Sequence, residues 1–319
     1  MDLSVCIVSY NCRDLLRQCL LSIERTAVSL AHEIIVVDNA SGDGTVGMLA
    51  AEFPHVVCVA NEDNPGFAGG TNQAMARARG ATLLMLNPDT EVQPGALEAL
   101  VGFLGERVWV GAVGARLVGP DGAIQRSCHP FPTLARTLVR QLGLHRVFPG
   151  SRLFGAYDMT WWDHAEPQRV DWASGACLAV TRQAWETVGP LDEGYFMYSE
   201  EVDWCYRLAR VGLECWYLPK AEVLHHGAAS WGSASRARIL AAHRANFRFF
   251  GKHYGRGAEA LLRILVAGGA LARGSFWTVA GPLLGTRATV VTDPSTHSAV
   301  LNQALCFDEL HRPANRAES

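Results

Sequence analysis

Residues that could bind a metal and a diphosphate occur at two distant points of the sequence. Asp89 follows an apolar run, Leu83–Leu86, that ends at an Asn-Pro pair. His225 and His226 follow a second strand-like run. A carboxylate and an imidazole, together with diphosphate oxygens and water, complete the shell of an octahedral divalent cation. A plain turn is the competing interpretation of the first point, because Asn-Pro-Asp is common in turns. Either histidine could be the ligand.

Three carboxylates within four positions, Glu200, Glu201 and Asp203, lie around the start of a predicted helix. The dipole of that helix should keep them ionised. Helical spacing puts Glu200, Asp203 and Arg207 on one face and turns Glu201 about a quarter-turn away. Caps and an Asp203–Arg207 ion pair would explain two of the acids. A third acid is more than a helix cap needs. Its presence indicates a general base that acts on an acceptor hydroxyl.

Polar residues also follow two further apolar runs. Ser9-Tyr10-Asn11 comes after one run, and Asp38 with Asn39 comes after the next. A carboxylate at the position of Asp38 could accept a hydrogen bond from the imide N–H of uracil or thymine, or from a sugar hydroxyl. A helix cap is an equal alternative. The glycine-rich segment 64–72 is predicted to be a loop that opens a helix, and its exposed N–H groups would favour an anion or another polar ligand.

The elements that position these residues alternate along the first third of the chain. Helices separate apolar runs at 3–8, 33–37, 56–59, 83–86 and 110–113. This alternation predicts an α/β fold with a mostly parallel, doubly wound central sheet flanked by helices. Such sheets bind ligands at the carboxyl ends of their strands, where the polar clusters occur.

The rest of the chain is less regular. Residues 126–168 are rich in proline, arginine and aromatic residues without a clear period, which predicts a mobile or acceptor-facing segment. Helices are predicted at 236–251 and 258–273. We expect three regions, 1–118, 119–235 and 236–319, of which the last is a basic helical extension.

Charge and cysteine content limit the function classes. The net charge of −3 over 319 residues argues against general nucleic-acid binding. Residues 236–319 carry 11 Arg and Lys against 5 Asp and Glu. This excess predicts peripheral contact with an anionic membrane through residues 236–285, with packing on the catalytic body or in a homodimer as the alternative. Nine cysteines without CxxC spacing argue against a zinc knot and for a reducing, cytoplasmic setting. Peripheral contact through the basic extension would place the protein on the inner face of the membrane.

Together these motifs resemble family 2 glycosyltransferases of the GT-A fold, especially the bacterial rhamnosyltransferase-like branch. The resemblance covers about residues 3–230. Its ordered motifs are Val8–Asn11, Val36–Asp43, Asn64–Asn72, Leu86–Thr90, Ser174–Ala176, Phe196–Asp203 with Arg207, and His225–Ser230. The resemblance implies a GT-A domain with a C-terminal helical extension at 236–319. In that domain, 1–118 would be the nucleotide-sugar-binding half and 119–235 the acceptor-binding and catalytic-base half.

The resemblance also implies roles for single residues. Asp89 looks like the metal-binding aspartate of a degenerate DxD motif in which Asn87 replaces the first acid. His225 fits the family's C-terminal histidine better than His226. Glu201 aligns with the catalytic base, with Asp203 as the alternative and Arg207 orienting the acids or meeting phosphate. The implied nucleotide-sugar set is Ser9, Tyr10, Asn11, Asp38, Asn39, Asn64, Gly66, Phe67, Gly70, Asn72, Asn87 and Asp89. The implied acceptor set is Trp172, Gly175 and Glu200.

The implied activity is inverting transfer of a sugar from a nucleotide diphosphate to a hydroxyl of a glycan or lipid-linked acceptor, with Mg²⁺ or Mn²⁺. Within the branch, L-rhamnose from dTDP-L-rhamnose is the expected donor, and a UDP-linked galactose, glucose or N-acetylglucosamine is the alternative. Two other classes stay open. A nucleotidyltransferase would release pyrophosphate but would want a basic, glycine-rich loop after the first strand. A non-catalytic sensor would bind nucleotide sugars without turnover.

Overall fold

The computed structural model describes residues 1–27, 29–227, 236–284 and 293–306. The chain forms two compact units. The sheet unit comprises Met1–Phe131, Trp162–Phe196 and Glu200–Ser230. The helical unit comprises Pro132–Trp161, Met197–Ser199 and Trp231–Ser319. Residues 228–230 of the last predicted motif, and residue 285 of the predicted membrane segment, lie outside the described residues.

Strands and helices alternate along the first 86 residues. The strands are β1 Leu3–Ser9, β2 His32–Asp38, β3 Val57–Ala60, β4 Thr82–Leu86, β5 Thr90–Val92, β6 Val110–Val118, β7 Ile124–Gln125, β8 Cys128–His129, β9 Gln168–Val170, β10 Trp172–Ala173, β11 Cys177–Thr181 and β12 Glu214–His225. The helices are α1 Arg13–Thr26, α2 Thr45–Glu52, α3 Gly66–Arg77, α4 Ala96–Gly105, α5 Leu134–Gln141, α6 Leu144–Val147, α7 Arg182–Val188, α8 Glu200–Arg210, α9 Arg236–Tyr254, α10 Arg256–Leu284 and α11 Pro294–Leu305.

One large sheet organises the sheet unit. Its strand order is β3-β2-β1-β4-β11-β6-β12-β5, with β7 beside β6 and β9 beside β12. The pairs β2–β3, β1–β2, β1–β4 and β6–β12 are parallel, whereas β11 and β5 run antiparallel to their neighbours. The predicted α/β class, with a mostly parallel sheet flanked by helices, is confirmed.

Burial explains why these segments became strands and helices. Strands β1 and β4 are buried along their whole length, as expected of continuous apolar runs in a parallel sheet. Helix α1 buries Leu16, Cys19, Leu20 and Ile23, the i, i+3, i+4, i+7 stripe of a helix packed on a sheet. The core therefore lies between the sheet and its flanking helices, and it holds the strand ends in place.

Several boundaries differ from the sequence prediction. Segment 64–72 is not an open loop, because α3 already begins at Gly66. The strand predicted at 110–113 extends to Val118, and the strand-like run before His226 is the end of a 12-residue strand, β12. Strand β5 was not predicted, since three residues are too few to show a period. Residues 126–168 contain α5 and α6.

A buried arginine holds helices of the helical unit together. Arg263 on α10 is 2% exposed, pairs with Glu259 at 2.9 Å and stacks on the Phe247 ring of α9. It also donates to the carbonyls of Gln303 and Cys306, the orphan acceptors at the C-terminal end of α11. Among the residues that the structure describes, no helix is both long and apolar enough to cross a bilayer.

Candidate active site

Strand pairing explains how Asp89 and His225, 136 positions apart, come together. The turn after β4 leads into β5, which pairs antiparallel with the end of β12, so that Thr90 lies opposite His225. The His226 N–H donates to the carbonyl oxygen of Asp89 at 2.9 Å. As a result His225 Nε2 lies 3.4 Å from Asp89 Oδ1, and both side chains are largely buried.

Gln125 orients the imidazole of His225. Its Nε2 donates to the backbone carbonyl of His225 at 2.8 Å, which leaves Oε1 to accept from His225 Nδ1 at 2.7 Å. A hydrogen bond at Nδ1 fixes the tautomer and leaves the Nε2 lone pair directed toward the Asp89 carboxylate. Gln125 lies on β7, which pairs with β6. No motif in the sequence pointed to it.

The two neighbouring histidines have different partners. His226 Nε2 lies 2.9 Å from Glu91 Oε1, whereas His225 Nε2 faces Asp89. Of the two alternatives that the sequence left open, the geometry therefore favours His225 as the partner of Asp89.

The Asp89–His225 pair fits a hard divalent cation. Its carboxylate and imidazole atoms lie within 3.4 Å of each other, which is close enough for both to ligate one ion. No group of three or more His, Cys, Asp or Glu residues that could hold a metal occurs in the described part of the chain. The protein would thus supply two ligands and leave the others to phosphate oxygens and water, the arrangement that Mg²⁺ and Mn²⁺ take in phosphate-binding enzymes.

One carboxylate oxygen of Asp38 accepts a hydrogen bond, and the other meets no donor among the described residues. It is 1% exposed, and Oδ2 accepts from the Ser41 N–H at 2.9 Å. Oδ1 is buried and meets no donor among the described residues. A buried acceptor without a donor is costly, so a ligand N–H or O–H at this point would be stabilising. The helix-cap alternative is wrong, because α2 begins at Thr45 with Gly44 as its N-cap residue and no described side chain caps it. The contact with Ser41 closes a turn after β2 and leaves Oδ1 for a ligand.

Two hydrogen bonds join the loops that follow β1 and β2. The Asn11 N–H donates to Ser41 Oγ, and the Gly42 N–H donates to Asn11 Oδ1, both at 2.9 Å. Ser9 Oγ lies 3.4 Å from Cys12 Sγ. Tyr10 is exposed between these contacts, so its ring is accessible to a ligand.

The glycine-rich segment is closely packed. The expectation of exposed N–H groups was wrong at its first two helical positions, because the Gly66 N–H donates to Asn64 Oδ1 and the Phe67 N–H donates to Phe196 O. Gly66 has φ +81°, and a side chain there would overlap the Phe196 carbonyl. A side chain at Gly70 would in turn meet Val8.

Two asparagines that the resemblance placed in the donor site hold this segment. Asn39 Nδ2 donates to Asn64 Oδ1 and to Gly66 O. Asn72 Nδ2 donates to Leu191 O at 3.0 Å and to Glu193 Oε1 at 2.9 Å. These bonds give Asn39 and Asn72 positioning roles, while their predicted contact with the donor stays a prediction.

Asp203 and Arg207 form the predicted ion pair. Arg207 Nε lies 2.9 Å from Asp203 Oδ2, and the Asp203 side chain is inaccessible to solvent. The same guanidinium donates to Val188 O and Pro190 O, each at 2.7 Å. The pair therefore fastens α8 to the end of α7, and Asp203 is poorly placed to reach an acceptor.

The other two acids of α8 have different surroundings. Burial raises the pKa of the Glu200 carboxyl well above its ordinary value, and the nearby Glu201 carboxylate adds to the rise. Desolvation thus outweighs the helix dipole, contrary to the expectation that all three acids would be ionised. A methyl group at Gly175 would lie 3.5 Å from the Phe67 ring and 3.9 Å from Glu201 Cβ. Glu201 therefore lies near Phe67 of helix α3.

The turn Ser174–Ala176 connects the two ends of the site. The Asn87 N–H donates to Ala176 O at 3.0 Å, one residue after Gly175. Trp172, predicted as an acceptor contact, lies mostly in the interior, where Nε1 donates to Pro130 O at 3.2 Å and the ring packs on His129. The candidate site thus runs from Asp38 past Asp89 and His225 to Glu201.

Solved structures share this fold. The mannosyltransferase PcManGT from Pyrobaculum calidifontis, in complex with GDP-Man and Mn²⁺, aligns with a TM-score of 0.58 and 18% identity over 95% of this chain and 85% of its own. GalNAc-T7, with UDP, GalNAc and Mn²⁺, aligns with a TM-score of 0.56 and 16% identity over 78% of this chain and 47% of its own. The fold is that of the GT-A glycosyltransferases.

Sequence comparison also shows to which family the chain belongs. The model of glycosyl transferase family 2 matches residues 4–157. An N-acetylglucosaminyl-diphospho-decaprenol L-rhamnosyltransferase from Mycobacterium tuberculosis is 31% identical over 76% of this chain and 83% of its own length. The hexosyltransferase Agl10 of low-salt glycan biosynthesis from Haloferax volcanii is 25% identical over 70% and 67%. The chain belongs to glycosyl transferase family 2, as the resemblance of its motifs implied.

Proposed function

We propose that this glycosyltransferase moves L-rhamnose from dTDP-L-rhamnose to a sugar hydroxyl of a polyprenyl-diphosphate-linked acceptor, with inversion at the anomeric carbon. The observation that carries the proposal is the Asp89–His225 pair, whose Nε2–Oδ1 distance is 3.4 Å and whose imidazole is oriented by Gln125. The mycobacterial relative supports the choice of sugar and of a lipid-linked acceptor, since its name states both.

Three groups would hold the donor. Asp38 Oδ1 accepts the imide N–H of the base, and Tyr10 covers it. Asp89 and His225 hold the cation, which when bound neutralises charge on the leaving diphosphate. Because thymine and uracil carry the same imide N–H, Asp38 does not separate dTDP-sugars from UDP-sugars. A UDP-linked hexose therefore stays the alternative donor.

Glu201 would act as the general base. It takes the proton of the acceptor hydroxyl while the hydroxyl oxygen forms a bond to the anomeric carbon and the bond from that carbon to the diphosphate oxygen breaks. Burial and the nearby Glu201 carboxylate raise the pKa of Glu200, so Glu200 holds its proton more tightly than a free carboxyl, which limits the negative charge beside the base. Asp203 and Arg207 hold the helix in position. Much of the rate would come from orienting the two substrates.

The test is a transfer assay with a short-chain polyprenyl diphosphate that carries N-acetylglucosamine, with Mn²⁺ present. We expect dTDP release from dTDP-L-rhamnose that depends on the acceptor, and a product of the opposite anomeric configuration by NMR. UDP-galactose, UDP-glucose and UDP-N-acetylglucosamine form the comparison panel. Release of pyrophosphate from a nucleoside triphosphate would favour a nucleotidyltransferase. Tight nucleotide-sugar binding without transfer to any acceptor would favour a sensor.

A further inference from the structure

The helical unit differs from the sheet unit in charge. Its described residues contain 12 Arg and Lys against 3 Asp and Glu, whereas those of the sheet unit contain 13 against 25. The excess of +9 is confined to a unit that contains none of the candidate site residues. A catalytic role does not explain it, so the positive charge points to an anionic partner.

Helix α10 presents an apolar stripe to solvent. Leu261, Ile264, Leu271 and Phe276 are 53%, 66%, 54% and 55% exposed. Gly268, Ala272 and Ser275 are the other exposed residues between Leu261 and Phe276, so this face carries no charge over about 22 Å of helix. The charged side chains of that stretch point elsewhere, since Arg263 is buried against Glu259 and Arg273 donates to Gln141.

A second segment of the same unit mixes exposed apolar and basic residues. Leu138, Leu142, Val147, Phe148 and Leu153 are all exposed, at 42–70%. Arg140, Arg146 and Arg152 are exposed between them. Asp158 is the one acid of residues 132–161. The Arg273–Gln141 hydrogen bond holds α5 of this segment beside α10. Lys252 in the last turn of α9 and Arg256 at the beginning of α10 add two exposed cations.

We propose that these two segments, the α10 stripe and residues 138–153, form a surface that docks on an anionic lipid bilayer. The leucine, isoleucine and phenylalanine side chains would enter the interface, and the arginines would meet lipid phosphates. A second copy of the chain is a poorer occupant, because it would bring one +9 unit against another. The proposal rests on the proposed function in one respect: a lipid-linked acceptor makes a bilayer the place of reaction.

Vesicle flotation with the full chain tests the proposal. We expect binding to vesicles of phosphatidylcholine with phosphatidylglycerol, weak binding to phosphatidylcholine alone, and weaker binding as salt rises. The double variant Ile264→Glu, Leu271→Glu should bind about tenfold or more weakly, and so should Arg146→Glu, Arg152→Glu. Val108→Glu is the matched control, since Val108 is 88% exposed but lies in the sheet unit. Circular dichroism would confirm that each variant is folded.

The outcomes separate this inference from the proposed function. With a water-soluble acceptor and no vesicles, both double variants should transfer sugar at the wild-type rate. Vesicle binding that neither double variant weakens would overturn the docking surface while leaving the glycosyl transfer intact. A dimer in sedimentation analysis that the α10 variant dissociates, with vesicle binding unchanged, would assign the stripe to a second copy and also overturn it. Failure of transfer with every donor, with vesicle binding as expected, would contradict only the proposed function.

Discussion

The two ends of the candidate site hold their side chains in different ways. At the Asp89 end, each group has a complementary neighbour: Gln125 orients His225, and His226 pairs with Glu91. At the α8 end, three acids lie close together: Arg207 pairs with Asp203, and burial raises the pKa of Glu200. Paired, fixed groups suit the holding of a ligand, whereas carboxylates with different affinities for protons suit acid–base chemistry. Mutations at one end of the site should therefore remove ligand binding without the chemical step, or the chemical step without ligand binding.

The largest expected effect is a loss of the chemical step alone, through Glu201 at the α8 end of the site. Glu201→Gln removes the proton acceptor but keeps its shape, so kcat should fall by about 10²–10⁴-fold while donor affinity stays within about twofold of wild type. Steady-state transfer kinetics and calorimetric donor titration measure the two quantities. Glu186→Gln on exposed α7 is the matched control and should leave both unchanged. Wild-type turnover by Glu201→Gln would remove Glu201 from the mechanism.

The next variant separates the two candidate bases. Asp203→Asn leaves the Arg207 guanidinium without its buried partner, so the free energy of unfolding should drop by about 3 kcal/mol, as measured by urea denaturation. Under conditions where the variant is folded, its kcat should stay within about tenfold of wild type. A stable Asp203→Asn protein that has lost transfer altogether would instead make Asp203 the base.

A smaller effect is expected on metal affinity at the Asp89 end of the site. Gln125→Leu removes the acceptor at His225 Nδ1, and outer-shell changes of this kind lower metal affinity about 10–100-fold. Calorimetric titration of Mn²⁺ in the presence of dTDP measures it. Gln18→Leu on the exposed side of α1 is the control for the loss of one glutamine. Equal Mn²⁺ affinity in the two variants would show that Gln125 does not position the metal ligand.

The smallest effect concerns pH. Because the pKa of Glu200 is raised on folding, the folded state holds this proton more tightly than the unfolded state. Wild-type stability should therefore decline as pH rises from about 4.5 toward the folded pKa, by at most about 1.4 kcal/mol per pH unit. Glu200→Gln, which has no proton to lose, should lack this decline. Thermal unfolding of both proteins at a series of pH values above about 4.5 compares them; parallel pH profiles would contradict the assignment.

Much of the sheet unit could be predicted from the sequence. The apolar runs of β1 and β4 are continuous, the stripe of α1 has the helical period, and the polar residues after the runs mark the strand ends. The Asp203–Arg207 pair is a local, i+4 contact, and local contacts follow from helical spacing.

The parts that the sequence missed depend on contacts between distant residues. Gln125 lies 100 positions from His225, and nothing in its own neighbourhood marks it. Strand β5 forms because β12 offers a partner, although three residues have little strand preference alone. Segment 64–72 has the glycines of a loop, yet Gly66 and Gly70 allow the close packing of a helix against Phe196 and Val8.

One measurement tests the central claim, that Asp89 serves binding and Glu201 serves chemistry. It is the calorimetric titration of dTDP, with Mn²⁺ present, into wild type, Asp89→Asn and Glu201→Gln. We predict that Glu201→Gln binds dTDP as wild type does, whereas Asp89→Asn binds about tenfold or more weakly, since the metal loses its one carboxylate ligand. Equal affinity in all three proteins, or a loss confined to Glu201→Gln, would contradict this division of the site.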